Sequence, residues 1–138
     1  MPEVWDLADI SLQCGRKSDA LKLALSWIYF GTEGLAMKVE NAFAVASELA
    51  KMLAAREGFH LECKEPACLQ VCFYRRMKPG DKAFNSATTK RLAQQLVARS
   101  FLIDYAPGKH GLMLRVVCSL VTQRSTIKRL VETIEELS

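Results

Sequence analysis

The strongest constraint on this chain is a long helical stripe. Between Thr32 and Gly58, the residues Leu35, Val39, Ala42, Phe43, Ala46, Leu49, Ala50 and Leu53 recur three and four positions apart. That spacing places them along one side of an α-helix. Thr32 offers an N-cap oxygen, and Gly58 offers a stop about seven turns later. A helix this long with an apolar side must be laid against a core, and a chain of 138 residues has room for one compact core.

Upstream, Ser18 or Asp19 caps a shorter helix ended by Gly31, with Leu21, Ala24, Leu25, Trp27 and Ile28 at helical spacing. These apolar residues wrap much of the circumference, which predicts burial against more than a small sheet. Residues 1–17 show no sustained period and read as an arm, with a short strand around Ile10 to Gln13.

Downstream the period changes. Phe59 to Cys63 alternates, and Leu69 to Arg75 is rich in strand formers. Lys78-Pro79-Gly80-Asp81 is a turn signal, followed by a helix from Ser86 to Arg99 with Ala93, Leu96 and Val97 inward. Phe101 to Tyr105 and Gly111 to Cys118 read as strands joined through Pro107-Gly108-Lys109-His110-Gly111. Thr122 or Ser125 caps a last helix with the stripe Ile127, Leu130, Val131, Ile134 and Leu137. The order predicts an α+β fold, with helices covering one face of a small, mainly antiparallel sheet. Three blocks follow: an arm and first helix over 1–31, a long helix over 32–58, and a small α+β domain over 59–138.

Several function classes are disfavoured. Net charge is +4 and scattered, and the only dense basic run, Arg75-Arg76-Met77-Lys78, reads as a solvated loop rather than a nucleic-acid surface. The segment from Met1 to Asp6 lacks the basic start and apolar run of a secretory leader. The most apolar window, Ala20 to Phe30, is broken by Lys22 and falls short of the roughly 18 residues a membrane span needs. The five cysteines (Cys14, Cys63, Cys68, Cys72 and Cys118) then read as reduced thiols of a cytoplasmic protein. His60, Cys63, Cys68 and Cys72 are spaced H-x2-C-x4-C-x3-C, without the paired knuckles of structural zinc modules, so no metal site is expected. Cys72 sits within a strand pattern, where a thiol acts as a small apolar residue.

A family pattern runs through the same residues. Ile10-Ser11-Leu12-Gln13-Cys14-Gly15-Arg16-Lys17 with Asp19-Ala20-Leu21-Lys22 resembles the segment after the cofactor site in group II pyridoxal-phosphate-dependent amino-acid decarboxylases. These include the glutamate, cysteine sulfinate and aromatic L-amino-acid enzymes. Trp27, Gly31, Gly34-Leu35, Arg56-Glu57-Gly58-Phe59, Val71-Cys72-Phe73 and Leu114-Arg115-Val116-Val117 continue the resemblance in order. It implies the C-terminal part of a fold type I enzyme, with the long helix bridging to a large domain that also covers the first helix.

The resemblance also assigns roles. Gly15 precedes a helix N-terminus, where a glycine lets backbone N–H groups approach an anion. A plain loop glycine is the other reading. In similar decarboxylases the matching glycine touches the phosphate of the partner subunit's pyridoxal 5'-phosphate, with Gln13, Cys14 and Arg16 as neighbours. Arg115 interrupts an apolar strand, and a guanidinium there needs a carboxylate partner or a path to water. In glutamate-type members the matching arginine holds a substrate carboxylate. His60 and His110 read as surface histidines.

The family's chemistry runs through a lysine preceded by histidine, and the cofactor serves as an electron sink for the carbanion left when carbon dioxide departs. This sequence has no His-Lys pair; Lys109-His110 carries the two residue types in reverse order inside a turn. The chain alone is therefore expected to be inactive. It reads as a fragment, a truncated gene product or a degenerate subunit that pairs with a complete one; the expected partners are the missing large domain or a full-length decarboxylase subunit, in a homo-oligomer. The alternative is a non-catalytic pseudo-subunit or interaction module. The substrate is an amino acid. Gln13-Cys14-Gly15-Arg16 leans toward the acidic-substrate enzymes, whereas the stretch after Phe73 is closer to the shorter aromatic type.

Overall fold

The computed structural model describes residues 18–66 and 68–137. The first helix, α1, covers Asp19–Ala54 and breaks at Gly31, whose φ of 68° and ψ of 177° are non-helical. Glycine adopts that φ without a Cβ penalty, and it ends the shorter helix where the sequence places the stop. The chain divides into two compact units, Met1–Met37 and Lys38–Ser138. In the first unit the apolar residues of α1 stand in solvent: Leu21, Leu25 and Trp27 are exposed, and Ile28 and Tyr29 are each 81% exposed.

The second unit builds its own core. Ala46, Leu49, Ala50 and Leu53 of α1, the later half of the predicted stripe, are buried there together with Val45. Val39 and Phe43 stay exposed, and Val45 is buried in their place. The helix stops at Ala54, one turn before Gly58. Gly58, at φ 77°, is instead the turn into the sheet, and its carbonyl accepts a bond from the Arg76 N–H at 2.7 Å.

Four strands follow: β1 (Phe59–Leu61), β2 (Gln70–Arg75), β3 (Asp104–Gly108) and β4 (Gly111–Val117). They form one antiparallel sheet in the order β1-β2-β4-β3. Period-two alternation and the register put Val71, Phe73 and Leu114 on one face, with Phe59, Leu61, Tyr105 and Val116 beside them. That face packs on buried residues of α1, of α2 (Lys82–Ala98) and of α3 (Arg124–Glu136). The architecture is the α+β layer that the sequence predicts.

Two elements differ from the reading of the sequence. Helix α2 starts at Lys82 rather than Ser86, because the Asp81 carboxylate caps it by accepting from the Phe84 N–H at 2.9 Å. The turn signal thus contains the cap. Strand β3 is Asp104–Gly108 rather than Phe101–Tyr105. Phe101 is a buried plug whose N–H returns to the Leu96 carbonyl at 2.9 Å. Pro107 is tolerated within β3 because this strand lies at the sheet edge. The hairpin loop shrinks to Lys109 and His110. Val97, expected inward, is 55% exposed.

Polar contacts fix α2 to the hairpin. The buried Asn85 donates from Nδ2 to the carbonyls of Lys78 (3.0 Å) and His110 (2.8 Å) and accepts from the Lys78 N–H (2.8 Å). Ser86 Oγ accepts from the Leu112 N–H at 3.0 Å, and Thr89 Oγ1 donates to the Leu112 carbonyl at 2.8 Å. Gly111 has φ 111°, and a Cβ there would lie 2.6 Å from the Lys82 carbonyl oxygen. Replacing Asn85 with Ala leaves three backbone groups without their side-chain partner. At about 1–3 kcal/mol for a buried unpaired group, urea unfolding should register a loss of at least about 2 kcal/mol. Exposed Lys128→Ala should stay within about 0.5 kcal/mol of the parent.

Candidate functional site

The sheet face opposite the core carries the polar side chains. Register aligns Cys72 of β2, Arg115 of β4 and Asp104 of β3 in one row across the three strands. Arg115 lands there because its neighbour Leu114 points into the core and successive side chains alternate.

Arg115 is held at Nη2 and open at Nε. Its Nη2 donates to Asp104 Oδ2, while its Nε is buried and has no hydrogen-bond partner among the described residues. Asp104 Oδ1 accepts from the Tyr105 N–H at 2.8 Å. The Arg115 hydrogen bond, and then the Tyr105 amide, hold the Asp104 carboxyl below the usual carboxylate range. Burial pushes the Cys72 thiol up, against the pull of the Arg115 cation. An unpartnered guanidinium N–H in a buried setting suits an oxyanion acceptor, above all a carboxylate. The sequence flagged Arg115 through its place in an apolar strand. Its pairing with Asp104 depends on register and could not be seen.

A second group lies further along the same face. Tyr74 is 1% exposed, and its Oη accepts from the His110 N–H at 3.1 Å. Burial pushes its phenol pKa up, with the neighbouring Glu62 adding to the shift. The His60, Tyr74 and His110 rings form mutual contacts at centroid distances of 5.8–6.1 Å. His60 is a surface histidine, as expected, but His110 is half-buried against Tyr74. The register pair His60↔Tyr74 and the hairpin that carries His110 bring this cluster together.

Cys63 and Cys68 are exposed and Cys118 is buried; with Cys72, all four are free thiols. Among the described residues no three His, Cys, Asp or Glu side chains are grouped to hold a metal ion. No described helix is long and apolar enough to cross a membrane. Gly15, with Gln13, Cys14, Arg16 and the strand expected near Ile10, lies outside the described residues.

Residues 3–76, more than half of the chain, match the pyridoxal-dependent decarboxylase conserved domain. The chain belongs to the pyridoxal-dependent decarboxylase family. It is 39% identical to the L-aspartate decarboxylase of Metarhizium robertsii over 139 residues, which is 96% of this chain and 27% of that protein. It is 34% identical to human cysteine sulfinic acid decarboxylase over 122 residues, 81% of this chain and 24% of the relative. Among solved structures, mouse CSAD in apo form superposes with a TM-score of 0.79 at 29% identity, covering 99% of this chain and 32% of the other. The Oryza sativa TDC structure with PLP and tryptamine gives a TM-score of 0.75 at 18% identity, a likeness of fold alone. The chain thus spans about a quarter of the length of the curated relatives and a third of the solved chains. Its structural neighbours are pyridoxal-phosphate decarboxylases of fold type I.

Pyridoxal phosphate is the family's cofactor. The described residues do not form a cradle for it. Their buried polar side chains are Asn85, Thr89 and Thr133, so no lysine is enclosed to anchor the ring and no carboxylate is enclosed to face its nitrogen.

Asp104 gives the site a measurable acid response. A carboxyl whose folded pKa lies below its unfolded value of about 3.9 adds stability above that value and loses it as pH falls through the folded pKa. The stability lead of the parent over Asp104→Asn should therefore be largest above pH about 4 and shrink on further acidification. Urea midpoints for both proteins at successive pH values check this; a lead that is constant with pH would break the assignment.

Proposed function

We propose that this chain is the C-terminal portion of a pyridoxal-phosphate-dependent decarboxylase acting on an amino acid with an acidic side chain. The observation that carries the substrate side is the buried, unpartnered Nε of Arg115 on a central strand. With Asp104 on Nη2, the Nε–H remains to donate to an oxygen of a substrate carboxylate. Support for an acidic substrate comes from relatives named for aspartate and cysteine sulfinic acid. Gly15 is assigned to the phosphate of the partner subunit's cofactor, on the strength of its place before α1 and the family resemblance.

The active unit in this reading is a cytoplasmic dimer that includes the large domain, supplied by the same polypeptide or by a complete subunit. The exposed apolar residues Leu21, Leu25, Trp27 and Ile28 are the surface that large domain covers. Without a His-Lys pair the chain is inactive by itself. The same missing pair favours a second reading, a non-catalytic subunit that kept the small-domain fold.

Co-expression separates the two. The chain is paired with a decarboxylase polypeptide that carries the cofactor lysine and ends before the segment matching Met1. Carbon dioxide release is then followed from L-aspartate, L-glutamate and cysteine sulfinate. Activity that needs both polypeptides is the expected result, with Arg115→Ala lowering kcat/KM about 100-fold or more. No restored activity favours the non-catalytic subunit. A borohydride-reducible cofactor adduct at one specific lysine of the isolated chain would overturn the inactivity reading.

A further inference from the structure

Strand β1 lies at an edge of the sheet, hydrogen-bonded to β2 and, among the described residues, to no strand on its other side. The Gly58 carbonyl accepts from the Arg76 N–H at 2.7 Å, and the Glu62 N–H donates to the Cys72 carbonyl at 2.9 Å. Alternate residues of an antiparallel ladder face the partner strand, so Phe59 and Leu61 turn their N–H and C=O groups toward the open side. At the opposite edge β3 carries Pro107, which has no N–H to offer a further strand. The three residues of β1 include neither proline nor a charged side chain.

The open side of β1 is also hollow. Ala54, Phe59, His60, Leu61 and Lys64 line a cavity of about 380 Å³ beside the strand. Lys64 lines a second cavity, of about 570 Å³, together with Phe43, Ser47, Lys51 and Pro66. Phe43, Ser47, Lys51 and Ala54 follow one another along one side of α1. The two hollows therefore form a groove between α1 and the β1 edge, wholly within Lys38–Ser138. From Phe43 to Ala54 the helix rises about 16 Å, the span of about five residues of extended chain.

The edge is held in shape before anything binds. The Phe59 ring packs on Phe73 at a centroid distance of 5.8 Å, and the Arg75 guanidinium covers it at 4.5 Å. Leu61 packs against the core. A fixed template loses little freedom when a strand pairs with it.

The charge of the groove selects among strands. Lys51 and Lys64 are exposed, and neither makes an ion pair among the described residues. Glu48, one turn before Lys51, is paired with Arg124 at 2.8 Å. Glu65 is the one acid among the lining residues. A guest with acids at alternate positions can meet both ammonium groups while its backbone pairs with β1. A second copy of this chain suits the edge less well. The antiparallel pairing that joins Phe59 to Leu61 of the copy would set Lys64 against Arg56, cation against cation.

We propose that the groove between α1 and β1 is a peptide-docking site, in which an extended acidic segment of another protein adds to the β1 edge and places its acids on Lys51 and Lys64. The site is separate from Arg115 and does not depend on the decarboxylase reading.

Fluorescence anisotropy with a labelled synthetic peptide of about seven residues, alternating glutamate and valine, tests it on the full chain. One comparison peptide carries lysine in place of glutamate. Another is N-methylated at every amide, which keeps the charge and removes the N–H donors an added strand needs. The expected result is saturable binding of the glutamate peptide, with both comparison peptides about tenfold or more weaker. Amide hydrogen exchange at Phe59 and Leu61 should slow when the glutamate peptide is present. The double variant Lys51→Glu, Lys64→Glu changes only exposed side chains and should weaken that peptide about tenfold or more while gaining affinity for the lysine one. Absence of saturable binding, equal binding of the N-methylated peptide, or unchanged exchange at Phe59 and Leu61 would overturn the proposal. Protection of those two amides that grows as the chain alone is concentrated would also overturn it, giving the edge to a second copy.

Discussion

Asn85 sits at the junction from which the rest of the polar architecture is set. Its carboxamide bonds the turn at Lys78 and the hairpin at His110 at the same time, so α2 cannot move without taking both with it. Ser86 and Thr89 repeat the attachment one turn apart on Leu112. These contacts anchor the start of β4. The alternation along β4 then sends Leu114 into the core and Arg115 to the opposite face, beside Asp104. A slip of one residue would bury the guanidinium and expose the leucine. Register, held by a few hydrogen bonds at one end of the strand, is what places Arg115 beside Asp104 on the face opposite the core.

The Arg115 guanidinium is only partly satisfied there: Asp104 takes Nη2, and in the proposed function a substrate carboxylate meets the neighbouring Nε–H or displaces Asp104. The pair is only partly shielded, since the Arg115 side chain is 37% exposed and that of Asp104 61%. Water therefore screens their attraction, and the pair is weak enough to be exchanged. The buried Nε is the stronger driving force: it has lost water and gained no acceptor, a state that costs about 1–3 kcal/mol until something fills it.

Much of this was legible in the sequence, and the failures share one cause. The stripe from Ala42 to Leu53 and the last helix follow from periodicity, because each element buries one side against a common core. The polar interruption at Arg115 was visible for the same reason. Phe101 misled because an aromatic beside apolar residues reads as strand, whereas here it plugs the core after α2. Pro107-Gly108 read as a turn because edge strands, which tolerate proline, cannot be told from loops before the strand order is known. Asp104 as partner to Arg115, His60 against Tyr74 and Arg76 beside Arg91 all join residues brought together by strand register or helix docking. Local pattern reports which side chains point inward; it does not report who stands opposite.

The two compact units also differ in how completely they satisfy themselves. Lys38–Ser138 builds one core from within, to which all three helices contribute, although some apolar side chains such as Leu102 and Val121 stay exposed. In Met1–Met37 the described apolar side chains remain in water, and fully burying one of that size is worth about 1.5–3 kcal/mol. Several such residues on a short stretch of helix amount to a surface that gains more from a partner than from solvent. Asp19 in the first turn and the Lys22 that pairs with it at 3.1 Å are polar exceptions, grouped at the start of the helix. The sequence encodes this difference directly: α3 carries a polar side opposite its buried one, while Leu21 to Phe30 is apolar nearly all round. A helix of the second kind is designed for contact on more than one side, and the small sheet has only one face to give, already filled by its own three helices.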